Sequence, residues 1–192
     1  MRVTPRGRAR VAARVETPPL VLRALSLAEE LGLEASCTSE QGAFLHVLAA
    51  RRGILRAGAT GTRAGVGAAW IVSALPPQTP FFSAETEPGI ATRVRQLFAD
   101  DPNVTVATSA WRGVLPPEAP FDLLFVDAED AKGDVDAVLG ILAPGGTAVL
   151  DGSWHGSPLP DSVRGAWLQH PLLTATEIWV KPERRALLAV RR

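Results

Sequence analysis

The chain has 192 residues, 46% of them hydrophobic and 21% charged, with 20 Lys and Arg against 20 Asp and Glu. This is the composition of one globular domain, and a net charge of zero argues against a general nucleic-acid binder. No apolar run approaches the roughly 18 residues that span a bilayer, and a single cysteine, Cys37, excludes an intramolecular disulfide.

The first 17 residues form a basic arm carrying Arg2, Arg6, Arg8, Arg10 and Arg14, closed by Pro18-Pro19. The arm has no apolar core of a secretory signal, so the expected location is cytoplasmic. Residues 18–192 are read as a single domain. Leu22, Leu25, Leu27, Ala28 and Leu31 recur at helical spacing from Leu20, and Gly32 is the stop. A second helix starts at Thr38-Ser39-Glu40-Gln41, with Ser39 as the cap, and runs to about Arg52.

The chain then alternates. Ile54–Thr60 reads as a strand poor in β-branched residues, Gly65–Leu75 as a helix stopped by Pro76-Pro77, and Thr79–Glu85 as a strand. A helix over Pro88–Phe98 and a short strand over Val104–Val106 follow. FDLLFVD, Phe121–Asp127, is a continuous apolar run flanked by acids, the pattern of a strand buried on both faces. A helix from Asp134 to Leu142, a turn at Pro144-Gly145-Gly146 and a strand over Thr147–Asp151 come next. A helix over Asp161–His170 leads to two closing strands, Leu172–Val180 and Ala186–Val190, which reverse at KPER.

This alternation predicts an α/β fold with a mostly parallel sheet and right-handed crossovers, one of the last two strands being antiparallel. Ligands of such sheets bind at the carboxyl ends of the strands. Attention therefore falls on Gly61–Gly65, Glu85, Ser109–Trp111, Asp127 and Asp151.

The loop TGTRAGVG, Thr60–Gly67, fits the T-G-x-x-x-G-x-G pattern of the NAD(P)-binding short-chain dehydrogenases. Those enzymes also share a catalytic Tyr-x-x-x-Lys, and this chain contains no tyrosine. Five segments, in order over about residues 20–192, resemble another family: SEQGAFLHVLAA, GTRAGVGAAWIVSAL, FFSAETEPG, APFDLLFVDAED and LAPGGTAVLDGSWHG. The resemblance is to the S-adenosylmethionine-dependent O-methyltransferases of the catechol and caffeoyl-CoA type. It implies a Rossmann-like class I methyltransferase fold, seven strands with helices on both faces, and frequently a homodimer.

The same resemblance implies roles. Gly61, Thr62, Arg63 and Gly65 would lie against the methionine half of the cofactor, and Glu85 would receive the ribose hydroxyls. Ser109, Ala110 and Trp111 would border the adenine. Asp127 and Asp151 end strands where metal-dependent relatives hold a divalent cation such as Mg²⁺, which acidifies an acceptor hydroxyl. His155, in SWHG, is a candidate base at the site mouth. Lys132 follows Asp127 by five residues, later than the family's lysine, and takes no role on that count. Acceptor-facing parts are the N-terminal helices and the loop 154–160.

Four positions depart from the family pattern. Ala59 stands where an acid usually precedes the first glycine; starting the loop at Gly58 instead puts Arg56 there, also not an acid. Arg63 replaces the middle glycine, Ala110 the adenine-binding acid, and Gly152 the second metal ligand. In a left-handed conformation a non-glycine residue costs roughly 1–2 kcal/mol. A guanidinium about 4 Å from the sulfonium would be repelled by roughly 4 kcal/mol at an effective dielectric of 20, while one turned to the cofactor carboxylate would pair with it. Three readings stay open: a methyltransferase of a small hydroxylated substrate, an inactive methyltransferase-fold protein serving as an interaction or regulatory module, and a nucleotide-binding oxidoreductase.

Overall fold

The computed structural model describes residues 16–154, 157–181 and 184–192. The basic arm up to residue 15, His155 and the Pro182-Glu183 centre of the KPER reversal lie outside them. Two helices open the described chain, α1 (Pro19–Leu31) and α2 (Ser39–Ala49). Gly32 ends α1 in the left-handed conformation, φ 63°, as expected of a glycine stop. The cap of α2 is Thr38 rather than Ser39: the Thr38 side chain accepts the Gln41 N–H at 3.3 Å.

The core alternation follows: β1 (Ala57–Ala59), α3 (Val66–Val72), β2 (Phe81–Glu85), α4 (Pro88–Leu97), β3 (Val104–Thr108), α5 (Trp111–Glu118) and β4 (Phe121–Val126). A single helical turn α6 (Glu129–Lys132), α7 (Val135–Ile141) and the long β5 (Leu142–Asp151) lead to a small ribbon, β6 (Ser153–Trp154) with β7 (Ser157–Pro158). The chain closes with α8 (Asp161–Leu168), β8 (Leu173–Lys181) and β9 (Arg184–Arg191).

Seven strands form one sheet in the order β3-β2-β1-β4-β5-β9-β8. Strands β1 to β5 are parallel to their neighbours; β9 runs antiparallel to both β5 and β8, so it alone is reversed. The strand order reverses between β1 and β4, which opens a crevice at their carboxyl ends.

The weakness of β1 as a sequence has a packing cause. A Cβ on Gly58 would lie 2.8 Å from the Phe82 carbonyl oxygen and 2.9 Å from the Phe121 ring. The central strand gives up β-branched side chains because phenylalanines of its neighbours occupy that volume. Gly67 on α3 is filled in the same way by Phe125, and Gly42 on α2 lies against the Trp70 indole. Buried side chains fall into two clusters, one joining α1, α2 and α3 to the sheet, the other built around α5, α7, α8 and β5.

Besides the one-turn helix α6, three elements depart from the sequence expectation. Helix α5 was hidden by Pro116-Pro117, which lie in its last turn, where a break costs little. The Pro144-Gly145-Gly146 turn is an irregularity inside β5, where the pairing with β4 shifts between Phe121 and Leu123. The ribbon β6–β7 carries no alternating pattern and is only two residues wide on each side.

Candidate cofactor and acceptor site

The loop after β1 is fastened at three points. The Thr60 hydroxyl oxygen accepts the N–H groups of Asp127 (3.2 Å) and Ala128 (3.1 Å), tying the ends of β1 and β4 together across the crevice. The buried Thr62 hydroxyl contacts Ser83 Oγ and donates to the Ala84 carbonyl at 2.9 Å. The Glu85 carboxylate takes the Arg63 N–H at 2.8 Å and the Glu87 N–H at 3.0 Å.

Arg63 has φ 47°. The left-handed strain of roughly 1–2 kcal/mol is offset by its charge-assisted backbone bond to Glu85, a class worth about 1.5–3 kcal/mol. Its side chain lines a cavity shared with Asp127 and Asp151, so it turns toward the strand ends. Gly65, φ 81°, begins α3 with Leu97, Val94 and Phe98 pressed close to its Cα.

On one side of this loop is a cleft of about 270 Å³ bordered by Gly61, Glu85, Ser109, Ala110, Trp111 and Asp130. A Cβ on Gly61 would stand 3.2 Å from the Ala128 nitrogen, so glycine keeps the crevice floor low. Trp111 is only 2% exposed and sits in the core. Its indole N–H donates to Asp130 at 2.9 Å, while the Arg112 guanidinium stacks 4.5 Å from its ring. Glu87 caps α4 through the Gly89 N–H, at 3.3 Å, and does not stand beside Glu85 on an extended strand.

On the other side is a cavity of about 490 Å³ lined by Glu34, Ser36, Arg63, Asp127, Lys132, Asp151 and Arg184 among others. Lys132 is 2% exposed. Its Nζ donates to the Ser153 carbonyl at 2.9 Å and stands 3.9 Å from Asp127 Oδ1. Asp151 is 3% exposed. Its Oδ2 receives the Ser153 hydroxyl, and its Oδ1, with no hydrogen-bond donor among the described residues, faces the Arg184 guanidinium at 4.0 Å.

Burial pushes the Asp127 carboxyl up to about 6 from its ordinary 3.8; Lys132 draws it down and Asp151 pushes it further up. The folded state then binds a proton that the unfolded state has released between pH 3.8 and about 6, so the stability contributed by Asp127 falls as pH rises through that window. Asp127→Asn is expected to flatten this part of the profile, measured as urea midpoints across about pH 4–6. An unchanged slope would assign the proton to another group.

No family model matches the sequence, and no curated protein matches it. Solved structures do. The O-methyltransferase TomG of Streptomyces achromogenes, involved in tomaymycin synthesis and solved with SAM, is 25% identical; the match covers 93% of this chain and 92% of TomG with a TM-score of 0.77. Cofactor-bound Rv0187 from MTB is 24% identical, covers 94% and 93%, and has a TM-score of 0.77. The Bacillus cereus O-methyltransferase, solved with SAH, is 19% identical, covers 94% of both chains and has a TM-score of 0.76.

The chain has the fold of the S-adenosylmethionine-dependent O-methyltransferases.

Within that methyltransferase fold the glycine loop is fixed as Thr60–Gly65. Gly58 lies inside β1 and Arg56 precedes that strand at its far end, so the alternative register falls away. Residues of this chain fit the cofactor where the 270 Å³ cleft has its low glycine floor and a carboxylate, Glu85, at its rim. Asp130 borders the same cleft.

The metal is a different matter. Asp127 and Asp151 share a cavity with Glu34 and Glu129, but Arg63, Lys132 and Arg184 line it too, and among the described residues no set of three His, Cys, Asp or Glu is arranged to hold an ion. Two unit charges 4 Å apart interact by about 4 kcal/mol at an effective dielectric of 20, so a dication placed that close to the ammonium would meet about twice that in repulsion. The donor set does not fit a divalent cation.

Lys132, Asp130 and Arg184 are the site-lining residues that counting along the sequence missed. Five residues after Asp127 looks too far, but α6 folds the segment into one turn, with the Lys132 N–H on the Ala128 carbonyl at 3.0 Å. That turn returns the side chain to the Asp127 carboxylate. A signal existed: the chain holds only two lysines, Lys132 and Lys181, and uses arginine elsewhere. Among the described residues no helix is long and apolar enough to cross a membrane.

Proposed function

We propose that the protein transfers a methyl group from S-adenosylmethionine to an oxygen of a small hydroxylated molecule. The observation that carries this reading is the cleft at the β1–β4 switch, where Gly61 leaves the floor open and Glu85 presents a carboxylate at the end of β2. Glu85 receives the ribose hydroxyls while holding the loop through the Arg63 N–H. Ser109, Ala110, Trp111 and Asp130 border the adenine end. Thr62 and Gly65 set the loop that faces the methionine end, and Arg63 projects there as the partner of the cofactor carboxylate. The bound cofactor supplies an electrophilic methyl on a sulfonium.

The cavity lined by Glu34, Ser36, Lys132, Asp151 and Arg184 takes the acceptor. Glu34 and Ser36 come from the α1–α2 connection, in keeping with an acceptor side built on the N-terminal helices. Asp151 Oδ1, buried and without a donor among the described residues, would take the acceptor hydroxyl's proton as that oxygen replaces the sulfur on the methyl carbon. Lys132 orients that hydroxyl.

The test is incubation of the full chain with methyl-labelled S-adenosylmethionine and a panel of small phenols and alcohols. Label in a product that scales with enzyme supports the reading. Cofactor binding with no transfer to any acceptor would favour a non-catalytic module on the same fold.

A further inference from the structure

We propose that the acceptor end of this site works without a divalent cation, the Lys132 ammonium taking the metal's place beside Asp127 and Asp151. The inference deepens the methyltransferase reading of the same site, but its test reads the two acids whether or not methyl transfer occurs.

Three observations lead there. The first is charge: each acid already has a cation of the chain, Lys132 at 3.9 Å from Asp127 Oδ1 and Arg184 at 4.0 Å from Asp151 Oδ1. The second is occupancy of the ligand atoms. Asp151 Oδ2 is taken by the Ser153 hydroxyl, and Lys132 Nζ donates to the carbonyl of the same serine, so the lysine bridges from one acid to the neighbour of the other. A hard dication needs about six oxygen ligands; Glu34 and Glu129 line the same cavity, yet among the described residues no three of its acids are arranged to hold one ion.

The third observation is backbone geometry at Gly152. A Cβ there would stand 2.1 Å from the Arg185 carbonyl oxygen and 2.8 Å from its carbon. The Gly152 N–H donates to that same carbonyl at 3.1 Å. No side-chain ligand can be carried at position 152 while β5 and β9 pair as they do. The absence of an amide ligand is therefore built into the sheet and is not a single reversible change.

Lys132 itself is locked. Its carbonyl receives the Trp167 indole N–H at 2.8 Å, and its side chain is buried at the end of the one-turn helix α6. A fixed ammonium in that position does what a metal would do at the acceptor end: it places positive charge beside an acceptor oxygen and balances the buried Asp127.

The experiment is titration of the full-length protein with Mn²⁺ alone, following the free-ion signal by electron paramagnetic resonance, with and without S-adenosylhomocysteine. The wild-type chain is expected to bind Mn²⁺ more weakly than about 1 mM in both cases. Lys132→Met, which keeps the stem and removes the charge, is expected to gain roughly tenfold or more in Mn²⁺ affinity, because Asp127 loses its built-in cation. Should Lys132→Met fail to fold, Lys132→Gln serves, and the wild-type titration stands by itself. Wild-type binding tighter than about 1 mM, or a lysine variant with no gain, would overturn the proposal.

Discussion

Glu85→Ala is expected to weaken S-adenosylhomocysteine binding by about 100-fold or more, corresponding to about 2.7 kcal/mol. Two losses combine. The ribose hydroxyls lose a charged acceptor, an interaction class worth about 1.5–3 kcal/mol. The loop also loses its anchor, since the same carboxylate holds the Arg63 N–H at 2.8 Å and the Glu87 N–H at 3.0 Å. Without that bond the left-handed Arg63 has nothing to offset its strain of roughly 1–2 kcal/mol. Glu85→Gln keeps one acceptor oxygen and should fall between, near tenfold. A Glu85→Ala protein that binds within about threefold of wild type would remove the ribose assignment.

Lys132→Met is expected to destabilise the fold by about 1–2 kcal/mol at pH 7 and by about 3 kcal/mol at pH 8, because Asp127 answers the loss of its partner by taking a proton, at about 1.4 kcal/mol for each pH unit above about 6. For a chain of this size the loss at pH 7 lowers the melting temperature by roughly 2–8 °C. The loss should shrink toward pH 5, since Asp127 already holds its proton up to about 6 and a neutral carboxyl needs no counter-charge. The double variant Lys132→Met with Asp127→Asn should recover most of the stability, which isolates the pair from other effects of the substitution. A single variant as stable as wild type at pH 8 would mean the ammonium does not serve Asp127.

Much of the sheet was readable because its signals are local. FDLLFVD is apolar throughout because β4 is covered on both faces, and the ends of β2 and β5 are marked by acids. What escaped the sequence was set by distant contacts or by short elements. The small residues of β1 follow from phenylalanines on β2 and β4, and the ribbon β6–β7 is too short to carry a period. Gly152 shows the limit most clearly: as a letter it is a missing ligand, and only the Arg185 carbonyl across the sheet shows why no ligand fits.

The site divides in the same way. Glu85 and the loop glycines could be picked out because strand ends in a parallel sheet face one crevice. Lys132 could not, because a linear count of five residues hides the helical turn that returns it to Asp127. Arg63 was ambiguous as a letter, able to repel the cofactor or pair with it. In the fold its backbone N–H is held by Glu85 and its side chain lines the cavity that also holds Asp127 and Asp151.

The central claim is that the cleft beside Glu85 binds the adenosine part of S-adenosylmethionine. Calorimetric titration of S-adenosylhomocysteine into the full chain, in EDTA, tests it most directly. One site with a micromolar dissociation constant, about −8 kcal/mol, is the expected result. No detectable heat at millimolar ligand would contradict it.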